Sequence, residues 1–185
     1  MNPTVFLDRD GTIIEDKGFL SKKEEIMFLP NSIGGLKMLA SLGLKLVIIT
    51  TQSGIARGYF TEEDLHKLNE HLLAELKKHG IEIDRIYYCP HHPVHGKGKY
   101  KKKCRCRKPD TGMIEQAQQE LDIDLAKSYL IGDKSIDIQM GMNAGVKTIL
   151  VKTGYAGKEE GFTEVEPDYV VEDLLEAAKI VKEKV

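Results

Sequence analysis

Val5-Phe6-Leu7-Asp8-Arg9-Asp10-Gly11-Thr12 starts as a short apolar run and stops on two carboxylates one residue apart. The run reads as a buried strand, and Gly11 as the turn that ends it. In a sheet built from alternating strands and helices, Asp8 and Asp10 then stand at the carboxyl edge, where such sheets bind ligands. Two carboxylates held this close repel one another unless a cation or a shared proton intervenes. Two solvated acids at a strand end would look the same, so the reading depends on what the rest of the chain supplies.

Outward from this stretch, apolar runs alternate with helical patterns, which predicts an α/β domain with a mostly parallel sheet. Strands are expected at Val5–Leu7, Leu44–Ile49, Arg85–Tyr88, Ser128–Ile131, Thr148–Val151 and, briefly, Tyr169–Val171. Helices are expected at Ser32–Leu42, Glu62–His79, Met113–Leu121, Ser135–Asn143 and from Leu174 to about Lys182. In the second, Leu65, Leu68, Leu72 and Leu76 form one stripe, with Thr61 as N-cap and Gly80 as the stop. There is no repeat and no Gly/Pro/Ser-rich linker, so residues 1–185 read as one domain. Pro90–Arg107 breaks the alternation. It is aperiodic and carries seven lysines and arginines without an acid. A loop that long needs something to organise it.

The bulk numbers narrow the class. The 185 residues are 41% hydrophobic and 30% charged, as in ordinary globular proteins. A net charge of −2 offers no overall attraction to nucleic acid or anionic membrane. No apolar run is long enough to span a bilayer, and no basic-then-apolar secretory segment is visible. The three cysteines, Cys89, Cys104 and Cys106, are odd in number and bunched. That pattern suits a reducing compartment and a metal site better than a disulfide framework, so a cytoplasmic location is expected.

Three further stretches carry chemistry. Leu46–Ile49 leads into Thr50-Thr51-Gln52-Ser53-Gly54, a second apolar run ending in hydroxyls and free amides suited to an anion such as a phosphoryl group. Arg107-Lys108-Pro109 sets two cations just ahead of a helix; arginine can clamp phosphate bidentately and lysine acts as a point charge. Tyr129–Ile131 ends in Gly132-Asp133-Lys134, with Asp137 one turn later. Asp133 can join Asp8 as an oxygen ligand for Mg²⁺, and Asp137 can meet Lys134 or a metal-bound water.

In this order the four stretches resemble the haloacid dehalogenase superfamily of phosphatases, with matches at Asp8/Asp10, Thr50, Lys108 and Asp133/Asp137. The resemblance spans Val5 to Val151. It implies a doubly wound, Rossmann-like parallel sheet flanked by helices, without a large cap domain. It also implies Asp8 as nucleophile, Asp10 as acid and base, and Thr50 and Lys108 holding the transferred oxygens. Mg²⁺ would be held by Asp8, Asp133 and the backbone carbonyl of Asp10.

Cys89-Pro90-His91 and Cys104-Arg105-Cys106 supply four ligands, enough for a closed, structural zinc site that braces the basic loop. His91 is the favoured histidine, with His92 and His95 as alternatives. This loop, together with Ser53-Gly54-Ile55-Ala56-Arg57, resembles the branch of the superfamily that removes the 7-phosphate of heptose 1,7-bisphosphates. Thr51 and Phe19 depart from the asparagine and tyrosine usual there. By that resemblance Asp16, Lys17, Gly18, Phe19, Thr50, Thr51, Gln52, Ser53, Arg107, Lys108 and Lys134 would contact substrate. The implied partner is a small phosphorylated sugar, with no membrane or nucleic acid, and the chain is expected to be a monomer. A histidinol-phosphate phosphatase is the alternative. A zinc-containing nucleic-acid-binding or end-processing protein is a third reading, and the lysines of 97–103 lend it some support.

Overall fold

Along β1 (Thr4–Leu7), Val5 and Leu7 enter one hydrophobic core and Phe6 the other. Strand side chains alternate between faces, so a strand apolar at every position must be covered on both. The computed structural model, which describes residues 1–185, covers it with helices on each side. The other strands are β2 (Lys45–Thr51), β3 (Arg85–Cys89), β4 (Tyr129–Gly132), β5 (Lys147–Val151) and β6 (Tyr169–Val171). All six are parallel, in the order β3-β2-β1-β4-β5-β6.

The helices are α1 (Ser32–Ser41), α2 (Gly54–Arg57), α3 (Glu62–Lys78), α4 (Gly112–Leu121), α5 (Ser135–Ala144) and α6 (Leu174–Lys184). Leu36 and Leu39 of α1, Leu65 to Leu76 of α3 and Val181 of α6 pack with Val5, Leu7, Ile48 and Ile131. On the opposite face Met113, Ile114 and Ala117 of α4 and Met140 of α5 pack with Phe6, Val47, Ile49 and Leu130. α3 starts with the expected Thr61 cap, as a full capping box with Asp64, and Gly80 follows its end at φ +75°.

Every expected strand and helix is present, with ends shifted by a residue or two. β2 runs on to Thr51 because Thr50 and Thr51 pair with Tyr88 and Cys89. The unforeseen α2 has four residues, too few to show a period. The basic loop is also less irregular than expected. It contains a 3₁₀ turn at Gly98–Tyr100 and a bridge between His92 and Lys101. The Lys97 amide donates to the Ala56 carbonyl at 2.9 Å and the Tyr100 hydroxyl donates to Glu62, so the loop is moored to α2 and α3; Tyr88 of β3 donates to the same carboxylate.

The order of the strands reverses between β1 and β4. The chain leaves one toward β2 and the other toward β5, and a crevice opens at their carboxyl ends. Asp8 follows β1 and Asp133 follows β4, so both stand at that crevice.

Candidate active site

Asp8 is fixed by its own backbone, whose amide donates to the Ile131 carbonyl at 3.0 Å and extends the β1–β4 pairing by one residue. Its carboxylate meets those of Asp133 and Asp137, the ligand oxygens lying within 4.8 Å of one another. Lys108, 4% exposed, donates from Nζ to Asp8 Oδ1 and Asp137 Oδ1, each at 2.6 Å. Burial alone would depress this lysine, but the charges of Asp137 and Asp8 outweigh it and raise its pKa. The main partner of Asp137 is therefore Lys108. It meets Lys134, as expected, but through the backbone, accepting from that amide at 3.1 Å.

Asp133 is fully buried; Oδ2 accepts from the Tyr155 amide at 2.8 Å, and Oδ1 has no partner. A buried carboxylate oxygen without a donor is costly unless a cation takes that place. Two glycines make room for it. A Cβ on Gly11 would lie 2.4 Å from Asp133 Oδ2, and one on Gly154 would lie 2.1 Å away. Burial, then repulsion from Asp8 and Asp137, pushes Asp133 up to about 8. Burial also raises Asp8 despite Lys108 beside it. A carboxylate cluster under that strain, with one oxygen unsatisfied, fits a hard divalent cation.

The side chain of Asp10 stands apart from this cluster. Oδ2 accepts from Gln52 Nε2 at 2.9 Å, Thr50 Oγ1 at 3.3 Å and Arg9 Nε at 3.1 Å. Gln52 also donates to Thr50 Oγ1 at 2.8 Å, so its amide serves the site's own residues. Sequence reading missed Arg9: an arginine between two aspartates looks solvated, yet this one is wholly buried.

Asp8, Asp10, Thr50, Thr51, Lys108, Lys134, Ile136 and Asp137 line a narrow cleft of about 30 Å³. That is about the space of a water molecule, so the body of any larger ligand stays outside this cleft. The buried hydroxyl of Thr51 has no partner there. The other expected contact residues lie outside this lining. Lys134 Nζ is 2.9 Å from Asp16 Oδ2 and sits over the Tyr155 ring. Asp16 Oδ1 accepts from the Gly18 amide at 2.8 Å, which shapes the 16–19 turn. Lys17 is exposed, 3.8 Å from Glu15. Phe19, 44% exposed, meets Tyr59 edge-on beneath the Arg57 guanidinium. Ser53 is half-buried just before α2. Arg107 is half-buried and donates from Nη1 to the His91 carbonyl at 3.2 Å.

That carbonyl belongs to the second cluster. Cys106 Sγ lies 3.1 Å from Cys89 Sγ, 3.3 Å from Cys104 Sγ and 3.3 Å from His91 Nδ1. Sulfurs at that separation are not bonded to each other, since a disulfide needs about 2.05 Å. Their spacing is about 0.4–0.6 Å under the roughly 3.7 Å expected around a tetrahedral ion with 2.3 Å bonds. Contacts from Cys89 lower the Cys106 thiol to about 5, so at least one thiolate is favoured. Of the three histidines considered, His91 faces the cluster. His92 Nδ1 instead accepts from the amides of Val94 and His95.

A switch point lined by three buried carboxylates and a buried lysine suits a phosphohydrolase of the haloacid dehalogenase type, and comparison with known proteins agrees. The HAD-hydrolase-like family profile matches residues 105–177. The D-glycero-beta-D-manno-heptose-1,7-bisphosphate 7-phosphatase of Pasteurella multocida is 43% identical over 98% of both chains. The enzyme of that name from Escherichia coli K12 is 39% identical over 98% of this chain and 95% of its own. Among solved structures, the D,D-heptose 1,7-bisphosphate phosphatase of B. bronchiseptica, complexed with magnesium and phosphate, matches with a TM-score of 0.85. It is 32% identical over 99% of each chain. Within the haloacid dehalogenase-like hydrolases, the chain belongs to the heptose 1,7-bisphosphate 7-phosphatase family.

Proposed function

We propose that this chain hydrolyses the 7-phosphate of D-glycero-β-D-manno-heptose 1,7-bisphosphate through an aspartyl-phosphate on Asp8. The observation that carries the chemistry is Lys108 bridging Asp8 and Asp137 beside the unsatisfied Asp133 oxygen. Whole-length similarity to enzymes of that name supports the substrate over histidinol phosphate. A carboxylate oxygen of Asp8 attacks phosphorus, and the ester oxygen leaves with a proton from Asp10. Asp10 then takes a proton from water, which attacks the phosphorus and frees Asp8. Thr50 and Lys108 hold the non-bridging oxygens. Asp8, Asp133 and the Asp10 carbonyl would hold Mg²⁺, which would supply charge neutralisation where two anions meet. In steady-state kinetics, kcat/KM for the heptose bisphosphate should exceed that for histidinol phosphate at least about 100-fold, or 2.7 kcal/mol. The reverse preference would defeat the substrate assignment.

The carboxylate cluster predicts proton-coupled cation binding. The ordinary value for Asp133 is 3.8 and its folded value about 8. Between those values the cation-free folded protein holds a proton that the unfolded chain has released, so this group's contribution to stability falls as pH rises through that window. Mg²⁺ must displace the proton, so it should raise the melting temperature more at pH 8.5 than at pH 6. An equal or smaller shift at pH 8.5 would contradict this.

Cys89, His91, Cys104 and Cys106 are proposed to hold a structural zinc that sets Arg107 and Lys108 through the loop they end. Elemental analysis should find about one zinc per chain. Cys104→Ser should lower both zinc content and melting temperature, and reduce kcat/KM about 10-fold or more. A zinc-free preparation with unchanged melting and kinetics would refute this role.

Arg107 is proposed to recognise the phosphate that is not attacked. Arg107→Ala should raise KM for the bisphosphate about 10- to 100-fold and barely affect a small monophosphate. Equal losses on both would place Arg107 in the chemistry or the fold. No helix is long and apolar enough to cross a membrane, and the three thiols are free. Three reduced thiols suit a reducing compartment, and a cytoplasmic monomer is proposed.

A further inference from the structure

Arg9 is the largest wholly buried side chain of the protein, and it carries a charge. A buried guanidinium is tolerated only when it is paired and hydrogen-bonded. Its partners are specific. Nε donates to Asp10 Oδ2 and Nη2 to Asp10 Oδ1, both at 3.1 Å, so the fork grips both carboxylate oxygens. Nη1 points the other way and donates to Asn69 Oδ1 at 3.0 Å. Asn69 is 7% exposed and lies in the middle of α3, on a helix otherwise buried through leucines. A leucine there would continue the apolar stripe, so the amide marks a polar task inside the core.

We infer that Arg9 and Asn69 form a brace that aims the Asp10 carboxyl group, making them positioning residues for proton transfer. This rests on the proposed role of Asp10. Thr50 and Gln52 reach Asp10 only at Oδ2, and their contacts allow the group to swivel about that oxygen. The Arg9 fork removes that freedom, and Asn69 fixes the fork in turn. Lysine in place of Arg9 would keep the charge and lose the two-point grip.

The leaving group tests this. An alkoxide departs only as it gains a proton, whereas p-nitrophenolate departs without one. Single-turnover release of the leaving group, with enzyme in excess, measures formation of the aspartyl-phosphate alone. The alkyl substrates are the heptose bisphosphate and glycerol 3-phosphate; the aryl substrate is p-nitrophenyl phosphate. Arg9→Lys and Asn69→Leu should slow alkyl release about 10- to 100-fold, as misplacement of a reacting group does. Aryl release should slow less than about 3-fold. Asn69→Asp, which keeps an acceptor for Arg9, should restore most of the alkyl rate. Folding is checked by melting, and the ratio between substrates stays readable in partly active preparations. Equal slowing of both substrates, or none, overturns the brace. Asp10→Asn serves as the reference. If it too slows both equally, the acid role of Asp10 falls, and the brace falls with it. If it discriminates and the brace variants do not, the brace alone is wrong.

Discussion

Asp8→Asn is expected to abolish turnover, lowering kcat at least about 10⁴-fold, within the range lost when nucleophiles are removed. The amide matches the carboxylate in volume and keeps an acceptor for Lys108 Nζ, now 2.6 Å from Oδ1. It has no anionic oxygen to attack phosphorus. Stability should not fall with activity. Asp8 is buried among two other carboxylates, and that burial raises its pKa, so a neutral side chain relieves repulsion. The variant should therefore melt no lower than the native chain in the absence of added Mg²⁺. Its kcat and melting temperature, measured on one preparation, check both halves. Residual turnover above a few per cent would exclude a covalent mechanism through Asp8.

Asp10→Asn should lower kcat on an alkyl phosphate by about 10²- to 10⁴-fold, because leaving-group protonation and water activation both fail. Binding of Mg²⁺ should survive, since the proposed ligand from this residue is its backbone carbonyl. Here stability should fall. Arg9 is wholly buried and gives two hydrogen bonds to this carboxylate, and asparagine can accept only one of them. Leaving a buried donor unpaired costs about 1–3 kcal/mol. A lower melting temperature with unchanged Mg²⁺ affinity is the expected pair of results. Loss of Mg²⁺ affinity instead would make the Asp10 side chain a ligand.

The contrast between the two aspartates shows how far the sequence could be read. β1 and β4 were legible because strands buried on both faces carry an unbroken apolar run, and each run is followed closely by an acid. The helix stripe of α3 and its Thr61 cap were legible for the same local reason. Lys108 was different. The residues mark Arg107 and Lys108 as a pair ahead of a helix, but composition cannot say which cation is buried, and the resemblance is what chose Lys108. The partners of Asp10 were out of reach altogether. Arg9 meets Asn69 across sixty positions of sequence, and neither residue departs from what a solvated face would carry. Gln52 is expected at the substrate, and no local pattern announces that its amide also donates to Asp10 and Thr50. The order inside the basic loop also escaped, because it comes from the Tyr100 hydroxyl on Glu62 and a backbone bond to Ala56, not from any periodic pattern.

Phosphorus NMR of the enzyme acting on D-glycero-β-D-manno-heptose 1,7-bisphosphate tests the central claim most directly, because it reports which ester is cut. The 7-phosphate signal should disappear and inorganic phosphate should grow in equal amount, while the anomeric phosphate signal persists. Loss of the anomeric phosphate first, or no hydrolysis with Mg²⁺ present, would contradict the account.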